Sequence, residues 1–112
     1  MINKKYILTN ETIKVGAKSL YQIKAIKDFG DVKKGDLGGF IESEKNLSQD
    51  GNAWVFDNAR VYGNAEVFDY AEVSDNAKVF GDALVFGDAK VYHNAQVFDY
   101  AQVFRDAEVF GD

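Results

Sequence analysis

The chain has 112 residues, 46% of them apolar and 28% charged, with a formal net charge of −5, the size and balance of one soluble globular domain. It has no cysteine, which excludes disulfides, thiol catalysis and cysteine-based zinc sites together. No apolar run approaches the roughly 20 residues of a membrane helix, and the stretch from Met1 to Leu8 is too short in apolar residues for a secretory leader, so the expected compartment is cytoplasmic.

Charge is unevenly divided. Residues 1–49 carry nine Lys/Arg and six Asp/Glu, whereas residues 50–112 carry four and twelve. A duplex-binding surface needs a basic stripe, and the second half offers the reverse. Direct nucleic-acid binding is therefore not expected, and a basic partner is favoured.

In chain order, Thr12-Ile13-Lys14-Val15 and Leu20-Tyr21-Gln22-Ile23-Lys24-Ala25-Ile26 read as two strands joined around Gly16-Ala17-Lys18-Ser19, a hairpin. Ile41 and Leu47 then stand six residues apart, the same spacing as in the second half of the chain. From Gly51 the chain falls into ten blocks of six: GNAWVF, DNARVY, GNAEVF, DYAEVS, DNAKVF, GDALVF, GDAKVY, HNAQVF, DYAQVF and RDAEVF. Alanine holds the third position and valine the fifth in every block. Period six cannot keep one face of a helix apolar, and it is the signature of a β-solenoid. Ala, a variable residue, Val and an aromatic make a short strand whose side chains alternate in and out. Gly or Asp followed by Asn or Asp makes the corner.

Val55 followed by Ala59 four residues later resembles the hexapeptide repeat of left-handed parallel β-helices, known from acyltransferases. Ile23-Lys24-Ala25-Ile26-Lys27-Asp28-Phe29-Gly30-Asp31-Val32-Lys33-Lys34-Gly35-Asp36-Leu37-Gly38-Gly39-Phe40-Ile41, followed by Leu47-Ser48-Gln49-Asp50-Gly51-Asn52-Ala53-Trp54-Val55, is similar to the head of YdcK-like bacterial β-solenoid proteins. The likeness runs from about residue 20 to the end. It implies a left-handed parallel β-helix with 18 residues to the coil, of which the ten blocks make three to four. Residues 1–48 read as an N-terminal β cap, since a solenoid's terminal strand edge needs covering, and 49–112 as the solenoid. Its short members look like phage or prophage products.

Sorted by 18, the residues form three faces. The first carries Asp69, Glu72, Asp88, Asp106 and Glu108 against Lys90 and Arg105. The second mixes Asp57, Asp75 and Asp112 with Arg60 and Lys78. The third carries Glu66, Asp82 and Asp99 with no positive charge. Each face also bears a column of aromatics: Phe56, Ser74, Tyr92 and Phe110; Tyr62, Phe80 and Phe98; Phe68, Phe86 and Phe104. Such rings can brace a thin solenoid or mark an interaction surface. The carboxylates can keep the rod soluble or imitate a phosphate backbone.

Catalytic chemistry finds little support. His93 replaces the usual corner residue, and the resemblance to trimeric hexapeptide acyltransferases would make it a base acting with acetyl-CoA. Asp28-Phe29-Gly30 matches a kinase motif by letters alone. The expected protein is non-catalytic and needs no cofactor. It would bind a protein partner through acidic and aromatic faces, as a phage-encoded inhibitor of a nucleic-acid-dependent host system such as CRISPR. The rivals are the acyltransferase and a self-assembling solenoid. The last coil is expected to be uncapped, so self-association is expected through that end or through a face.

Overall fold

The computed structural model describes residues 4–111, nearly all of them in strands and tight corners. Strand β1 (Tyr6–Val15) pairs antiparallel with β2 (Lys18–Ala25), and β2 pairs antiparallel with β3 (Leu37–Ile41). The hairpin is thus present, and β1 starts six residues before the predicted strand. Its pairing shifts between Leu8 and Thr12. There the Thr9 hydroxyl binds the Gln22 carbonyl, at 2.9 Å.

The hexapeptides then supply ten short strands: β4 (Trp54–Val55), β5 (Arg60–Val61), β6 (Glu66–Val67), β7 (Glu72–Val73), β8 (Lys78–Val79), β9 (Leu84–Val85), β10 (Lys90–His93), β11 (Gln96–Val97), β12 (Gln102–Val103) and β13 (Glu108–Gly111). They form three parallel stacks, β4-β7-β10-β13, β3-β5-β8-β11 and β6-β9-β12. Leu47 bridges Val67 above the third stack. The result is a parallel β-solenoid of about four turns. Val55, Val73, Val91 and Val109 lie in register at intervals of 18 residues. Ile41 faces Val61 and Leu47 faces Val67. These intervals are 20 residues, because the corner between Leu47 and Val55 holds two extra residues.

Alternation puts the Val and Ala columns inside. Valines 55 to 91 and alanines 53 to 89 of the repeat are fully buried, and exposure rises over the last coil. At the first position of each of the ten hexapeptides φ lies between 57° and 73°. Glycine occupies four of these corners, and aspartate, which tolerates the left-handed region better than most residues, another four. His93 (φ 59°) and Arg105 (φ 57°) are the two exceptions. The corner aspartates bind forward: carboxylates of Asp57, Asp69 and Asp75 accept the backbone N–H of Asp75, Gly87 and His93, one coil on, at 3.3, 3.1 and 3.0 Å.

Gly38 and Gly39 let β3 lie against the first coil. A Cβ at Gly38 would stand 2.5 Å from the Val55 carbonyl oxygen, and one at Gly39 2.5 Å from that of Ala59. Trp54 occupies an outward position, yet it is buried. The cap folds over it, bringing Phe29 and Tyr6 edge-on at 5.3 and 6.0 Å. The Tyr6 hydroxyl donates to the Leu47 carbonyl at 2.6 Å, and burial pushes the phenol's pKa up.

Candidate functional site

The first face, β4-β7-β10-β13, carries a groove of about 430 Å³. Its floor is the outward column Glu72, Lys90 and Glu108, which the strand register sets side by side. Corner residues Tyr70, Asp88 and Asp106 form one wall, and Asp31 and Val32 of the cap close the upper end with Phe56. Five carboxylates thus meet one ammonium. Glu108 accepts a hydrogen bond from the Tyr92 hydroxyl at 2.9 Å, which raises the pKa of that phenol.

Four of the residues expected to bind, Glu72, Asp88, Asp106 and Glu108, are brought together here. The others are placed elsewhere. Asp69 turns its carboxylate to the Gly87 N–H. Glu66 lies on the third face beside Phe68, in a hollow of about 470 Å³ shared with Glu44 and Lys45. Asp82 accepts from the Asn64 amide at 3.2 Å, and Asp99 sits exposed at a left-handed corner. Phe68, Phe86 and Phe104 stack in line, with centroids 4.9 and 5.4 Å apart and planes 3° and 11° from parallel. Tyr62, Phe80 and Phe98 do the same on the second face, at 5.1 and 5.3 Å.

Of the groove's charged and aromatic residues, two escaped the sequence reading. Tyr70 had a signal, since an aromatic replaces the small polar residue usual at the second position of a block. Asp31 had none, because the cap's folding over the first coil is what delivers it.

His93 stands at an exposed corner, its Nε2 3.9 Å from the Asp75 carboxylate. Its ring is perpendicular to those of Tyr92 and Phe110, at 4.8 and 6.2 Å. The surrounding hollow is lined by corner residues such as Asp57, Asn76 and Asn94. Among the described residues no three His, Asp or Glu groups lie close enough to hold a metal ion, and no helix is long and apolar enough to cross a membrane.

Fold and repeat together define a hexapeptide β-solenoid with an N-terminal β cap. No protein-family model matches the chain. Over 38 residues, 34% of this chain, it is 53% identical to a protein of Escherichia coli (strain K12) described as "Uncharacterized acetyltransferase YdcK". The match spans 12% of that protein's length. Together with the solenoid it agrees with the likeness to YdcK-like β-solenoid proteins.

Proposed function

We propose that this protein is a non-catalytic binding module that presents the acidic groove of its first face to a basic protein partner. The observation that carries this reading is the convergence of Asp31, Glu72, Asp88, Asp106 and Glu108 on one groove, opposed by Lys90 alone. Glu72, Asp88, Asp106 and Glu108 rise from a hydrogen-bonded parallel stack, so the spacing of their backbone positions is set before a partner arrives, which lowers the ordering cost of binding. Carboxylates spaced in this way suit the Arg and Lys side chains that line a nucleic-acid channel. In this reading the protein is a phage-encoded, anti-CRISPR-like inhibitor that fills such a channel in a host enzyme. It needs no cofactor. The stacked rings of the third face and the carboxylates of Glu66, Asp82 and Asp99 extend the contact.

The test is charge reversal. The wild-type protein, immobilised, is expected to retain basic nucleic-acid-binding proteins from bacterial extract in a salt-sensitive manner. A variant carrying Glu72→Lys, Asp88→Lys, Asp106→Lys and Glu108→Lys is expected to lose them while keeping its circular dichroism spectrum. Retention of the same proteins by the folded variant would remove this reading.

A second reading, acyl transfer from acetyl-CoA, draws on the name of the E. coli relative and on His93 beside Asp75. It requires that acetyl transfer be detectable and that His93→Ala abolish it. Absence of transfer, or undiminished transfer in the variant, eliminates it.

A further inference from the structure

On the second and third faces the outward aromatics form unbroken stacks. The middle ring Phe80 lies 5.1 Å from Tyr62 and 5.3 Å from Phe98, and Phe86 lies 4.9 and 5.4 Å from its neighbours. The corresponding column of the first face is Phe56, Ser74, Tyr92 and Phe110. Register places Ser74 between Phe56 and Tyr92: Val73 pairs with both Val55 and Val91, and the Ser74 N–H donates to the Val91 carbonyl at 2.9 Å. Tyr92 stacks on Phe110 at 5.1 Å, so its other face is on the Ser74 side. His93 stands perpendicular beside the Tyr92–Phe110 pair rather than above it. Among the described residues no ring stacks on Phe56. One rung of a regular ladder therefore lacks its ring, and the backbone register on either side of it is the one that elsewhere holds a Phe.

We infer that this rung is a recognition slot for the guanidinium plane of an arginine supplied by the partner, sandwiched between Phe56 and Tyr92. The inference rests on the binding-module reading above and specifies what the partner inserts. The occupant must be flat, because it replaces a ring. It must be cationic, because Glu72 lies two residues before Ser74, Asp75 follows it, and Asp57 occupies the corner one coil earlier, against Lys90. A guanidinium is planar and charged, and it stacks on aromatic faces. A lysine ammonium meets the charge but not the shape. The serine, small and able to accept a hydrogen bond, leaves room for it.

Octa-arginine and octa-lysine peptides, titrated into the labelled protein and followed by NMR, separate shape from charge. Octa-arginine is expected to bind about fivefold tighter than octa-lysine, the gain of one cation–π contact, and to shift the ring protons of Phe56 and Tyr92. Ser74→Phe changes no charge and fills the rung. It is expected to erase the preference while octa-lysine affinity stays unchanged. Equal affinity for the two peptides, ring protons that do not move, or a preference that survives in Ser74→Phe each overturns the slot. If Ser74→Phe does not fold, the wild-type ring shifts and peptide preference still decide. Loss of the slot with charge reversal still abolishing partner capture would leave the acidic groove standing, so the two failures are distinguishable.

Discussion

The Lys5 ammonium donates to the carbonyls of Gly51 and Ala53 at 3.2 and 2.7 Å, and the Asn46 amide to those of Gly63 and Ala65 at 3.2 and 2.8 Å. One coil further on, the equivalent carbonyls receive backbone N–H groups: Asp69 and Ala71 from Asn52 and Trp54, Gly81 and Ala83 from Asn64 and Glu66. Two side chains thus supply the donors that a preceding coil would offer. Lys5 is fully buried beneath Phe29, and burial pushes its pKa down from 10.5 to about 8, with Asp50 opposing and Lys27 adding to the fall. Between about pH 8 and 10 the folded chain therefore binds fewer protons at Lys5 than the unfolded chain does, so stability rises with pH. The Tyr6 phenol, raised from its ordinary 10.0, acts in the opposite sense above pH 10, where the unfolded chain releases a proton that the folded one keeps. Urea denaturation across pH 7–11 is expected to show a maximum near pH 10, higher than at pH 8 by up to about 2 kcal/mol. Lys5→Met is expected to flatten the rise and keep the fall. A steady decline from pH 8 in the wild type would contradict this account.

At the level of the strand, two strand residues in eight of the ten hexapeptides make a weak element, and the stacks of outward rings add contacts along the axis that a thin Ala and Val interior cannot provide. Phe86 is stacked on both sides and Phe104 on one. At about 0.5–1.5 kcal/mol per aromatic pair beyond the area buried, Phe86→Ala is expected to cost roughly twice as much stability as Phe104→Ala. Thermal and urea unfolding of the two variants measures the ratio, and equal losses would count against the stack as a source of stability, since Phe86 is also the less exposed of the two. The strands and corners were legible because Ala and Val recur in every block and Gly or Asp opens eight of the ten, so the same local geometry is written many times over. His93 and Arg105 break the corner chemistry and still adopt it, since the stacked neighbours hold the backbone there. Trp54 was not legible: its position in the repeat points outward, and only the cap's path over the first coil buries it.

Over the whole molecule, the cap carries most of the positive charge and the solenoid most of the negative. The acidic groove forms where the two meet, with Asp31 delivered from the cap to the column of Glu72, Lys90 and Glu108. The columns themselves followed from counting by 18, so Glu72, Asp88, Asp106 and Glu108 could be grouped from sequence. The dispersal of Asp69 and Asp82 into hydrogen bonds with Gly87 and Asn64 could not, because it depends on which rotamer each corner leaves free. The Lys5 and Asn46 bonds have a further consequence. They engage only backbone carbonyls at two corners, in a pattern that repeats with every turn, so this cap does not sense how many turns lie beyond it. Duplicating or deleting an 18-residue unit downstream would leave its contacts intact. Chain length can therefore evolve by whole-turn increments, each step lengthening the displayed columns without a new solution for how the stack is started.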